Sequence, residues 1–217
     1  MYLYIAGRGK MALALIDACK EHDVPWNMWM HSEGWNWSES NSVIVHVGSE
    51  ERLKKVLVWC AASKTPLIHA ASGQTALLPE SPPFPIIVAP NLALPFVALF
   101  SKILPSFKAL LNLGMTTKIS EKHQLSKTTE SATAAAMMQA LEIPTSALTK
   151  QRCGMLPHAD HELIFTDESG DLTFKFSTHV KGLRVYANGG LKLAQQIVAK
   201  RSDLENRIYS VQEILAL

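Results

Sequence analysis

Tyr2-Leu3-Tyr4-Ile5-Ala6-Gly7-Arg8-Gly9-Lys10-Met11 is the stretch whose reading decides the fold. Tyr2 to Ala6 is a short apolar strand, Gly7-Arg8-Gly9 is a tight turn, and Met11 to Cys19 carries apolar residues at helical spacing. A strand, a G-x-G turn and a helix in that order turn backbone N–H groups and a helix N-terminus toward one point. That geometry receives a pyrophosphate. Ala12 stands where a third glycine would fall, a packing position at which alanine is tolerated. Arg8 and Lys10 add positive charge beside the loop, and Met11 closes it. Glu33 follows the second strand, where an acid can hydrogen-bond ribose hydroxyls, in which case NADH should serve at least as well as NADPH; the alternative is a solvated loop glutamate, and the cofactor stays open between NADH and NADPH. The plainer alternative is a tight turn that happens to hold two glycines.

Outward from this loop, Val24–Met30, Val43–Val47, Pro66–Ala70 and Pro85–Ala89 read as further strands, with a helix over Glu50–Ala62. Strands alternating with helices predict a parallel, doubly wound sheet. The rhythm then changes. Helices are expected near Ala93–Leu104 and Ala132–Leu141, and strands at Thr116–Ser120, His161–Thr166 and Leu172–Thr178, the last two joined at Asp167-Glu168-Ser169-Gly170-Asp171. A final helix is expected at Leu191–Lys200. The predicted class is α/β: an N-terminal Rossmann-like parallel sheet, a second α+β domain with a mixed sheet, and a C-terminal helix returning to the first domain. The expected boundaries are 1–91 with 191–217 for the dinucleotide-binding domain, and 92–190 for a substrate-binding and oligomerisation domain.

The 217 residues and 47% hydrophobic content allow two small cores, and a net charge of +2 gives no reason to expect nucleic acid or a membrane surface as partner. Cys19, Cys60 and Cys153 form no C-x-x-C pair, which suits reduced thiols in a cytoplasmic protein. No charged n-region and apolar h-region precede the glycine loop, so no signal peptide is expected. Phe84 to Leu113 is strongly apolar, but Pro85, Pro90, Pro95, Pro105, Lys102 and Lys108 interrupt it, and it reads as a buried strand followed by a buried helix.

Lys118 to Thr129 is polar and turn-rich, the best candidate for a functional loop. In it His123 and Lys127 stand four residues apart: an imidazole that can give or take a proton, and an ammonium that can pair with a carboxylate. Ser131-Ala132-Thr133 then opens the alanine-rich helix, where hydroxyls and free N–H groups suit a carboxylate, although Ser131 could equally be a plain N-cap.

These residues also carry a likeness. The chain resembles the 4-hydroxy-tetrahydrodipicolinate reductases of bacterial lysine biosynthesis, whose signature reads approximately E-x-H-H-x-x-K-x-D-A-P-S-G-T-A. Glu121, His123, Lys127, Ser131, Thr133 and Ala134 match in order. Gly7 to Met11 looks like the family's glycine loop, Ala70-Ala71-Ser72-Gly73 its T-T-G turn, and Ala89-Pro90-Asn91 its inter-domain linker. His161 to Phe165, Thr178-His179, Arg184 and Tyr186-Ala187-Asn188-Gly189-Gly190 continue the likeness, and Tyr209-Ser210-Val211 closes it. The resemblance implies reduction of a cyclic imine or enamine dicarboxylate by NADH or NADPH, in a homotetramer. It implies His123 as general acid and Lys127 assisting protonation or holding substrate. Gln124, Ser131, Ala132 and Thr133 would bind substrate, with Thr133 on a carboxylate; Ser72, Gly73 and Asn91 would join Gly7–Met11 and Glu33 around the cofactor.

The family's second histidine is Gln124 here, and its D-A-P-S-G-T is shortened to Thr129-Glu130-Ser131-Ala132-Thr133. A reductase of another cyclic imine acid, or a non-catalytic nucleotide-binding regulatory protein, are the alternatives. His158 and His161 flank Asp160, but no third ligand has convincing spacing, so no metal is expected. His46 and His69 read as satisfied polar residues at the sheet's carboxyl edge, and the tryptophans at 26, 29, 35 and 37 as packing.

Overall fold

The computed structural model describes residues 1–30, 41–125, 131–154 and 159–216. Glu33, Lys127, His158, Trp35 and Trp37 lie outside the described residues, as do His31, Thr129 and Glu130. The chain divides into two compact units, Met1–Val97 with Leu183–Leu217, and Ala98–Gly182. The sequence reading put these divisions at 91/92 and 190/191.

The first unit is built on β1 (Tyr2–Ala6), α1 (Lys10–Glu21), β2 (Trp26–Met28), β3 (Ser42–His46), α2 (Glu50–Ser63), β4 (Leu67–His69) and β5 (Ile86–Val88). A helix α3 (Leu94–Asn112) contains the division between the units. The second unit continues with β6 (Thr116–Gln124), α4 (Ala132–Leu141), β7 (Leu148–Cys153), β8 (Ala159–Thr166) and β9 (Thr173–Val180). Then α5 (Arg184–Ala199), β10 (Ile208–Ser210) and α6 (Val211–Ala216) complete the first unit.

The first unit's sheet runs β10-β5-β4-β3-β1-β2, and every pairing is parallel. Both faces are covered, so its strands are apolar almost throughout. Leu3, Ile5, Val43, Val45, Ile68 and Ile87 face one core with Leu15 of α1 and Leu193 and Ile197 of α5. Tyr4, Ala6, Ile44, Leu67 and Ile86 face the other, with Leu53, Val56 and Trp59 of α2. The strand order reverses between β1 and β3, the position at which open α/β sheets bind ligands beyond their carboxyl ends.

Helix α5 begins at Arg184, seven residues before the expected Leu191. Gly189 and Gly190 lie inside the helix for a packing reason. A Cβ at Gly189 would stand 1.8 Å from the Leu92 carbonyl oxygen, and one at Gly190 would stand 3.1 Å from Leu15 Cδ2. Backbone approach here outweighs the ~1 kcal/mol that glycine costs a helix interior.

The second unit has a four-stranded sheet ordered β7-β6-β8-β9, parallel between β6 and β7 and antiparallel elsewhere. On one face Ile119, Glu121 and His123 of β6 and Ala159, His161, Leu163 and Phe165 of β8 are buried. Phe107 of α3 stacks on Phe165 and meets Phe176 edge-on, with Phe100 also beside Phe176. Ala134, Met137 and Leu141 of α4 are buried as well. Aromatic contacts on both sides of Pro105 explain why α3 continues to Asn112 and does not stop at Leu104. By length and composition this 19-residue helix is apolar enough to cross a membrane, and little of it is buried in the single chain. The expectation of a buried helix is corrected accordingly.

Candidate active site

The parallel register sets Ala6, His46, His69 and Val88 side by side across four strands. The segments that leave these strands therefore emerge on one edge, and they carry the glycine loop, Val47-Gly48-Ser49, the Ala70–Gln74 turn and Asn91. Gly7 is fixed by close approach: a Cβ there would lie 2.7 Å from Val47 Cγ2 and 2.9 Å from the Val47 oxygen. Gly9 is the N-cap of α1 and a Cβ on it would meet nothing within 4 Å. No side chain caps that helix and its first turn holds no acid, so its leading N–H groups face open space framed by exposed Arg8 and Lys10. Together these form an anion cradle of the kind a pyrophosphate fills.

Beside it lies a cleft of about 250 Å³ lined by Arg8, Trp29, Met30, Ser49, Glu51, Arg52 and Lys55. Ser49 caps α2 by accepting from the Arg52 N–H, and Arg52 Nη1 donates to the Trp29 carbonyl, which holds the guanidinium at the wall. Lys55 pairs with Glu51. The cleft is thus net cationic, a feature absent from the sequence reading, because Arg52 and Lys55 look like ordinary surface residues of an amphipathic helix. The Ala70–Gln74 turn places Ser72 exposed and Gly73 in the left-handed region at φ +78, and Gln74 ties it to the Gly48 carbonyl. Asn91 Oδ1 accepts from the Ala93 N–H at 2.8 Å and so fixes the turn before α3.

Under the same edge sit His46 and His69, both buried, with their Nδ1 atoms 3.2 Å apart. The Ser49 carbonyl accepts from His46 Nε2, so that nitrogen carries the proton. His46 Nδ1 is then the acceptor and His69 Nδ1 the donor, leaving a lone pair on His69 Nε2. That atom is buried with no hydrogen-bond partner among the described residues. Burial pushes both imidazoles down to about 4. The pair is therefore neutral at pH 7, with three of its four ring nitrogens hydrogen-bonded where the sequence suggested full satisfaction.

In the second unit His123 lies in strand β6, where a polar loop was expected. Glu121 and His123 alternate with outward Ser120 and Lys122, so both reach the covered face. Glu121 is fully buried, and its Oε1 accepts from Arg152 Nη1 at 3.2 Å and stands 3.7 Å from His123 Nδ1. His161 packs edge-on against His123 with ring centroids 5.2 Å apart and shares a 2.9 Å hydrogen bond with Ser131 Oγ. Ser131 is also the N-cap of α4, accepting from the Ala134 N–H. The hydroxyl assigned to substrate is thus engaged within the fold and buried. Gln124 ends β6, while Ala132 and Thr133 form the first turn of α4. The fold also gives His161 the neighbours that spacing did not reveal: donor atoms of Glu121, His123 and His161 all lie within 4.8 Å of one another.

No family model matches the chain, and no curated protein matches it. Solved structures do. The dipicolinate-bound dihydrodipicolinate reductase of Paenisporosarcina sp. TG-14 superposes with a TM-score of 0.65 at 16% identity, covering 97% of each chain. The chain shares the fold of dihydrodipicolinate reductase. A DAP dehydrogenase of C. glutamicum in complex with DAP matches at TM-score 0.59 and 6% identity, over 98% of this chain and 93% of that one. A probable dehydrogenase of Thermotoga maritima matches at 0.54 and 7%, over 99% and 92%. The reductase fold thus spans both units of the chain, from the glycine loop to the strand bearing His123.

Proposed function

We propose that the chain is an NAD(P)H-dependent reductase of a cyclic imine or enamine dicarboxylate, of the 4-hydroxy-tetrahydrodipicolinate type, serving lysine and diaminopimelate biosynthesis in the cytoplasm. The observation that carries this reading is an anion cradle at Gly7–Lys10 in the first unit of a chain of this fold, whose second unit carries the buried imidazole of His123. The cradle suits a dinucleotide on its own terms, since Gly9 opens to space and the α1 N-terminus is neither capped by a side chain nor flanked by an acid.

A reduced nicotinamide supplies the hydride when bound. Gly7 and Gly9 let backbone approach the pyrophosphate, and Arg8 and Lys10 offset its charge. Once the ring hydroxyl has left as water to give the conjugated imine, His123 would supply the proton that follows hydride onto it, so negative charge does not accumulate on the ring. Lys127 and the leading N–H groups of α4, with Thr133, receive the carboxylates. Arg8, Arg52 and Lys55 ring the cationic cleft and favour the extra phosphate of NADPH over NADH. Four copies would assemble through the outward face of the four-stranded sheet, which presents Lys122, Asp160, Glu162, Ser177 and His179 around a shallow cleft.

One observation favours a second reading within the same chemistry. Ser131 Oγ is committed to His161 and to the helix cap, so a carboxylate pocket lacking that hydroxyl would suit a different cyclic imine acid. The test is reduced-cofactor oxidation with substrate generated by the preceding synthase, followed by a panel of cyclic imine acids. Turnover lost in His123→Gln at unchanged cofactor affinity supports the reading. Cofactor binding without turnover on any of them would overturn it.

A further inference from the structure

Outside the glycine-loop edge, the most concentrated chemistry is the buried face of the second unit. Glu121, His123 and His161 are 0%, 5% and 2% exposed, and their donor atoms fall within 4.8 Å of one another. Burying one carboxylate and two imidazoles in contact is costly unless each is matched to a partner. Arg152 satisfies one oxygen of Glu121, but Oε2 is buried with no hydrogen-bond partner among the described residues.

We propose that Glu121, His123 and His161 form a binding site for a divalent transition ion of the zinc class, and that occupancy switches the reductase off. Two imidazoles and one carboxylate, with a fourth position left for water, are a donor set that zinc accepts in tetrahedral geometry. Donors on a tetrahedral zinc at about 2.0–2.1 Å stand roughly 3.3 Å apart. The Glu121 Oε1 to His123 Nδ1 separation of 3.7 Å needs only a few tenths of an ångström of closure. The surroundings have the arrangement that metal ligands use. Ser131 Oγ holds the His161 ring through Nε2, and Arg152 holds the carboxylate through Oε1, orienting both side chains. The donors rest on two antiparallel strands in fixed register, with Glu121 directly opposite His161. Metal binding forms coordinate bonds from donor lone pairs, and nothing is oxidised or reduced. An imidazole whose lone pair is on zinc cannot be protonated to imidazolium, and its remaining N–H is a far weaker acid, so the switch rests on the reading of His123 as general acid. The site itself does not.

The test separates the two. Chelator-stripped protein is titrated with Zn²⁺ by calorimetry without cofactor or substrate, and with Co²⁺ by visible absorption. The expected result is one equivalent of Zn²⁺ and the strong visible bands of tetrahedral Co²⁺. Affinity should fall at least a hundredfold in His161→Gln and in His123→Gln, each checked for folding by circular dichroism. Absence of Zn²⁺ binding up to the millimolar range, or binding unchanged in both variants, overturns the site. Should the variants fail to fold, the Co²⁺ spectrum of the unaltered chain decides: octahedral, weakly coloured Co²⁺ overturns it. If Zn²⁺ binds at these residues and turnover continues undiminished, the site stands and the switch is overturned together with His123 as acid.

Discussion

Acidification should destabilise this protein through one identifiable pair. His46 and His69 are 0% and 1% exposed and share a 3.2 Å Nδ1–Nδ1 contact. Burial takes each from an ordinary 6.5 to about 4, with the neighbouring imidazole adding to the effect at His69 and Arg52 at His46. A folded-state value below the unfolded one means that the unfolded chain binds more protons as pH falls. The pair's contribution is therefore complete above about pH 6.5 and is lost progressively toward pH 4. At roughly 1.4 kcal/mol per pH unit, the shift from 6.5 to about 4 amounts to ~3 kcal/mol for each imidazole. The two titrate as a coupled pair, so the loss is read as a sum and not residue by residue. Against a domain stability of about 5–15 kcal/mol, that loss is large. The assay is urea denaturation from pH 7.5 to 4.5, comparing the unaltered chain with a His46→Gln, His69→Gln double variant. The difference between the two curves should narrow toward acid by several kcal/mol, and imidazole NMR signals of the pair should not titrate above pH 5. A difference flat across this range, or a pair that titrates near 6.5, would refute the reasoning.

Gly189→Ala sets two effects in opposition. Helix propensity favours alanine by ~1 kcal/mol, but its Cβ would lie 1.8 Å from the Leu92 oxygen, so a net loss of at least ~2 kcal/mol is expected in chemical denaturation. Gly9→Asp puts a carboxylate at the uncapped start of α1 and should abolish the fluorescence enhancement of NADH and NADPH alike, with the thermal midpoint little changed. The double change Arg52→Ala, Lys55→Ala should weaken NADPH at least tenfold more than NADH in the same titration, because only NADPH carries a ribose 2′-phosphate to present to the cationic cleft.

The first unit was largely legible because its strands are short apolar runs between helices of clear period. Ser42–His46 is buried at every position, and such a strand announces itself. The second unit was harder for a physical reason. Glu121 and His123 occupy inward positions of β6, so the alternation of Ile119, Glu121 and His123 has no apolar signature beyond its first member. The strand was therefore expected only over Thr116–Ser120, and its second half read as a loop. Strand β7, with Thr149, Lys150, Gln151 and Arg152 in sequence, is polar along an edge and carried no strand signal at all. The His123 and Ser131 assignments came from motif order. Their burial, and the partners Arg152 and His161, came from strand pairing over a separation of about thirty residues that no local pattern encodes.

The most direct test of the central claim is single-enzyme turnover. Purified, metal-free protein is supplied with NADPH and with freshly generated 4-hydroxy-tetrahydrodipicolinate, and loss of the reduced cofactor is followed for the unaltered chain and His123→Gln. The account predicts sustained oxidation that falls at least a hundredfold in the variant, with NADPH affinity unchanged, in keeping with loss of a general acid. Equal turnover in the two proteins, or none in either while NADPH binds, would contradict it.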